Sequence, residues 1–108
     1  MFTELKGDFD SAVAGKKLLL KFHATWCGPC KAIEPTLLSI QNETGVEIIS
    51  IDIEEHSKIT DKLGVHSVPT VIAMDNGTAV GFRVGALAKQ SFVDLVNELG
   101  LPARPAIS

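Results

Sequence analysis

Apolar residues recur along this chain with two periods, and the places where one period gives way to the other mark its elements. Leu18-Leu19-Leu20-Lys21-Phe22-His23-Ala24 is nearly continuous apolar sequence, as expected of a strand covered on both faces. Its two polar members, Lys21 and His23, are two apart and so share one face. Val46–Ile53 is rich in isoleucine and predicts a second buried strand, and Phe2–Leu5 predicts a short first one. Thr70–Met74 and Thr78–Val84 flank Asp75-Asn76-Gly77. Asn and Gly both tolerate positive φ, so this pair predicts an antiparallel hairpin.

Between these segments the helical period appears. Phe9 and Val13 lie four apart and predict a short helix over Asp8–Ala14, stopped by Gly15. Ile33, Leu37 and Ile40 predict a helix from Cys30 to about Glu43, with a kink at Pro35, which lacks an N–H. Ile59 and Leu63 predict a helix over Ser57–Leu63 ending at Gly64. Phe92, Leu95, Val96 and Leu99 trace one face of a last helix over about Ala86–Leu99, ended by Gly100. Leu101–Ser108, with two prolines, reads as a short tail beyond a domain spanning residues 1–100. The order β-α-β-α-β-α-β-β-α predicts an α/β fold. The early strands are joined by parallel crossovers, helices lie on both faces, and the hairpin forms an antiparallel edge.

Composition narrows the function classes. At 108 residues the chain is long enough for one modest core, and 45% hydrophobic with 21% charged residues is an ordinary globular balance. The formal net charge is −3 and the densest basic cluster is Lys16-Lys17, which argues against nucleic acid as a partner. No apolar run approaches the roughly 18–20 residues needed to span a bilayer, and Met1–Leu5 does not read as a signal peptide. A cytoplasmic location is the expectation that follows.

The chemistry lies in Trp26-Cys27-Gly28-Pro29-Cys30-Lys31, which holds both cysteines of the chain. Two thiols at this spacing, at the start of a helix, can open and close a disulfide. Unpaired N–H groups at a helix N-terminus favour thiolate, the nucleophilic form. Cys27 precedes the helix and is expected to be the more exposed thiol, with Cys30 covered in the first turn. Pro29 restricts the loop between them, so the ring closes with little further loss of freedom. An inert structural disulfide and half of a zinc site remain open at this point. A zinc site needs about four ligands, and besides the cysteines only His23, His56, His66 and carboxylates are available.

With motif and element order together, the chain resembles the thioredoxin family over Phe2 to Gly100. Ala24-Thr25-Trp26-Cys27-Gly28-Pro29-Cys30-Lys31 matches the family's active-site signature, and Pro35 falls where the family kinks its active-site helix. Val68-Pro69-Thr70 matches the family's loop with a cis proline facing the dithiol, and Val84-Gly85-Ala86 matches a third loop beside it. The resemblance implies a central mixed five-stranded sheet flanked by four helices. It also implies protein-disulfide reduction, with Cys27 as nucleophile and Cys30 as resolving thiol. Trp26, Gly28, Pro29, Val68, Pro69, Gly85 and Ala86 would form the surface that receives a partner's extended backbone. The partners implied are disulfide-containing proteins and a thioredoxin reductase as electron donor. The chain would act as a monomer, in electron transport and cell redox homeostasis, with no cofactor beyond the Cys27–Cys30 disulfide and no metal. A thiol oxidant or isomerase on the same fold, or a non-catalytic interaction subunit, are the alternatives.

Two positions depart from the family pattern. The buried acid expected six residues before the first cysteine is Lys21, and the lysine that faces it from the next strand is Ile48. Lys21 and His23 are therefore expected below or beside the thiols as modulators of the dithiol. A protonated Lys21 would favour thiolate, a neutral one would act as a base, and one reaching the end of the sheet would be a spectator.

Overall fold

The computed structural model describes residues 2–100. In chain order it contains β1 (Thr3–Glu4), α1 (Phe9–Val13), β2 (Lys17–His23), α2 (Gly28–Ala32), α3 (Glu34–Thr44), β3 (Glu47–Asp52), α4 (Ser57–Lys62), β4 (Thr70–Asp75), β5 (Thr78–Val84) and α5 (Lys89–Glu98). Each expected element forms, and the differences have physical causes. The helix expected from Cys30 to Glu43 is two segments, interrupted at Ile33. Pro35 has no N–H for the Lys31 carbonyl and its ring crowds that carbonyl, so the break falls two residues upstream. Pro35 then lies in the first turn of α3, where no intrahelical donor is required. Counting α2 and α3 as one interrupted helix, four helices flank the sheet. The last helix starts at Lys89 rather than Ala86, because Ala88 is extended (φ −69°, ψ 155°) and caps it. The tail expected at 101–108 lies outside the described residues.

The sheet has strand order β1-β3-β2-β4-β5. β1 and β2 both run parallel to β3, as the helices between them require. β4 pairs with the other edge of β2 and runs antiparallel to it, although α4 precedes it in the chain. Asp75 and Thr78 close the hairpin around Asn76 (φ 50°) and Gly77 (φ 81°), the two positive-φ positions anticipated for Asn-Gly.

Alternation along the strands loads two cores. Leu19, Ile48, Val71 and Ala73 face Ile33, Leu37 and Ile40 and the α5 residues Phe92, Leu95 and Val96. Leu18, Leu20, Phe22, Ile49, Ile51, Ile72 and Met74 face Leu5, Phe9, Val13 and Val65 on the opposite side. β2 is buried on both faces between them, and Leu18, Leu19, Leu20 and Phe22 are fully covered. Each such side chain contributes about 1.5–3 kcal/mol relative to exposure.

Phe92 anchors α5 in the first core. Phe92→Ala should lower stability by about 3–5 kcal/mol, read from the urea unfolding midpoint at unchanged slope. A loss below about 1 kcal/mol would contradict this packing.

Candidate active site

β2 ends at His23, and the chain turns through Ala24, Thr25 and Trp26 into α2. Cys27 caps that helix in an extended conformation (φ −92°, ψ 105°), and its backbone N–H donates to the Ala24 carbonyl at 3.1 Å. The Cys30 N–H donates to Cys27 Sγ at 3.1 Å. Gly28 and Pro29 form the first two helical positions, where proline's missing donor costs nothing. The two cysteines are joined as a disulfide with Cα atoms 5.4 Å apart.

The expected difference in exposure between the thiols is not found: Cys27 is 3% and Cys30 2% exposed. In this oxidised form both pack with Ala24 in a small cluster against Ile53 and Val68. The exposed surface belongs to their neighbours Trp26 (66%), Gly28 and Pro29.

Two further loops meet here. The Val68–Pro69 peptide is cis, and Val68 packs on the dithiol cluster. The Pro69 carbonyl accepts from the Gly85 N–H at 2.9 Å, which fastens the second loop to the third. Gly85 has φ 100°, a backbone conformation strained for other residues, and exposed Ala86 follows it. Thr70 Oγ1 donates to the Ser67 carbonyl at 2.7 Å and steadies the loop from below. Among the described residues no backbone hydrogen bond uses the N–H or C=O of Val68.

Lys21 and His23 share the α3/α5 face of β2, as their spacing predicts. Lys21 is 1% exposed. Its Nζ lies 3.1 Å from Glu34 Oε2 in the first turn of α3, and 5.4 Å from the centre of the Phe2 ring. Glu34 carries no signal of its own in the sequence. A lysine inside an apolar strand was the available signal, because a buried cation demands a counter-charge. His23 stands opposite Asp52 in the register, and its Nε2 is buried without a hydrogen-bond partner among the described residues. Burial, and then the Lys21 charge, lower its pKa below 6.5, outweighing the raising effects of Asp52, Glu4 and Glu34. Ile48 sits in the apolar core opposite Leu19. Among the described residues no group of three or more His, Cys, Asp or Glu side chains is placed to hold a metal ion, and no helix is long and apolar enough to cross a membrane.

Comparison with known proteins gives one consistent answer. The family model described as thioredoxin matches residues 1–98. A thioredoxin of Haemophilus influenzae is 36% identical over 95 residues, covering 84% of this chain and 89% of that protein. One of Bacillus subtilis is 36% identical over 92 residues, covering 83% and 88%. Among solved structures, the reduced Schistosoma mansoni thioredoxin pre-protein superposes with TM-score 0.80 at 30% identity, covering 91% of this chain and 97% of that one. Oxidised mitochondrial thioredoxin 3 of Saccharomyces cerevisiae gives TM-score 0.82 at 27% identity, covering 90% and 94%.

The depressed His23 pKa makes a stability prediction. On acidification the unfolded chain takes up the proton first, at about pH 6.5, while the folded imidazole resists it. The His23 contribution is therefore complete above that pH and is lost as pH falls through the lowered native value. Urea midpoints of the parent should fall faster than those of His23→Leu between roughly pH 7 and pH 5. Parallel curves would show that the folded imidazole protonates as freely as the unfolded one.

Proposed function

Because the chain belongs to the thioredoxin family, and is therefore a protein-disulfide reductase working by thiol–disulfide exchange, we propose that Cys27 is its nucleophile and Cys30 its resolving thiol. The observation that carries this assignment is the Cys30 N–H donated to Cys27 Sγ at the start of α2. A donor aimed at sulfur, reinforced by the helix N-terminus, stabilises negative charge on Cys27 once the disulfide is reduced. Cys30 has its own N–H committed to Cys27 and sits inside the first turn, suited to second attack.

The cycle follows from exchange chemistry. Cys27 thiolate attacks one sulfur of a substrate disulfide. A Cys27–substrate bond forms, the substrate S–S bond breaks, and the other substrate sulfur leaves as thiolate. Cys30 gives up its proton and attacks Cys27 Sγ, closing the Cys27–Cys30 disulfide and releasing the second substrate thiolate. Two electrons pass from protein dithiol to substrate disulfide, and the two released thiolates end as thiols in equilibrium with solvent protons. A thioredoxin reductase returns two electrons and two protons to Cys27 and Cys30.

We further infer that Trp26, Gly28, Pro29, Val68, Pro69, Gly85 and Ala86 form the receiving surface. Val68 supports this: it lies against the dithiol with its backbone N–H and C=O unengaged, as a docking site for an extended backbone requires. The same reading makes residues 1–100 one working domain, acting as a cytoplasmic monomer in electron transport and redox homeostasis, with the disulfide as its only redox group. Its partners are disulfide-containing proteins rather than nucleic acid or membrane, in keeping with the net charge of −3.

The division of labour has a direct test. Cys30→Ser should accumulate mixed disulfides with protein substrates, because attack survives and resolution does not, and Cys27→Ser should accumulate none. Non-reducing gels with mass spectrometry read the result. Complexes trapped on Cys27→Ser instead would reverse the two roles.

A further inference from the structure

Lys21 is the one charged side chain buried in the sheet among the described residues, and its ion-pair partner leaves from the active-site helix. We propose that Glu34 is a positioning residue of the dithiol: by pairing with Lys21 it limits how strongly this buried ammonium favours thiolate at the active site.

The placement supports this from both sides. Lys21 lies three residues before Ala24, which packs against both cysteines; at the strand rise that separation is about 10 Å. Glu34 follows Cys30 by four residues, across the interruption at Ile33. The pair thus ties the strand entering the site to the helix leaving it. Lys21 is sealed from water, so its field is weakly screened. Glu34 is unequal to it, because its side chain is 45% exposed and water shields it. His23 lies on the same strand, and the other groups whose charges act on it are Glu4 from β1 and Asp52 from β3, while Lys31, next to Cys30 on α2, is exposed to water. His23 is held toward the neutral form, and one Asp52 oxygen is occupied by the N–H groups of Glu54 and Glu55. Lys21 is left as the one buried positive charge on this face among the described residues, with Glu34 as its partial counterweight.

The two halves of the pair must then act with opposite sign. Glu34→Gln leaves the ammonium uncompensated, lowers the thiol pKa and makes the disulfide a stronger oxidant. Lys21→Met removes the ammonium, raises the thiol pKa and makes the dithiol a stronger reductant. A merely structural ion pair gives no such antisymmetry, since breaking it from either end loosens the same contact.

The inference rests on the dithiol reading above, and its readout is independent of turnover. The ultraviolet thiolate absorbance of the reduced protein is followed against pH, and the dithiol is equilibrated with dithiothreitol. Lys21→Met should move the lower thiol pKa up by about one pH unit, and Glu34→Gln should move it down by a smaller amount. The equilibrium with dithiothreitol should move several-fold in opposite directions. The double variant should lie between the singles, and Glu34→Asp should return toward the parent. Urea midpoints verify that each variant is folded, and Lys21→Met, which replaces a buried charge by an apolar chain of similar length, is the safer of the two. Shifts in the same direction, or none, would overturn the proposal. Failure of the parent to reduce a protein disulfide would instead overturn the reading of its function.

Discussion

Burial of β2 on both faces is the constraint from which the rest of the structure follows. A strand with neither face open to water needs helices above and below and strands on both edges, and this chain provides all four. α3 and α5 cover one side and α1 and α4 the other, while β3 and β4 satisfy the two edges. The end of such a strand is held more firmly than any surface loop. The dithiol begins four residues beyond His23, and Ala24 ties it back through the Cys27 N–H. The chemistry is therefore mounted at the end of the central buried strand, with exposed residues around its rim.

That mounting carries a cost, which is Lys21. An ammonium buried between Leu20 and Phe22 is tolerable only with a counter-charge, and Glu34 supplies it at 3.1 Å. The requirement reaches into the active-site helix, because Glu34 is in the first turn after the break that Pro35 imposes. Strand burial, helix interruption and local charge are consequently one linked arrangement. His23 belongs to the same face, and burial keeps its imidazole toward the neutral form.

Much of this was legible in the chain. The apolar run at Leu18–Ala24, the Asn76-Gly77 turn and the Phe92–Leu99 stripe each fixed an element, because burial and turn geometry act locally on sequence. The signature at Trp26–Lys31 located the chemistry. Four features were not legible. β4 runs antiparallel to β2 because the chain re-enters the sheet at the same end at which it left β3, and a helix between two strands does not specify that end. The helix break falls at Ile33, because proline disturbs the carbonyl four residues before it rather than its own position. Cys27 is covered because Val68 and Ile53, distant in sequence, close over the disulfide. Glu34 was hidden for the same reason: an exposed-looking glutamate acquires a role only when a lysine thirteen residues earlier reaches it.

The central claim is that the Cys27–Cys30 pair transfers electrons to protein disulfides, and reduction of insulin disulfides tests it most directly. With dithiothreitol as electron source, the parent protein should accelerate insulin precipitation in proportion to its concentration, and Cys27→Ser should reduce the rate to that of dithiothreitol alone. A parent protein no faster than dithiothreitol, or a Cys27→Ser variant as fast as the parent, would contradict the account.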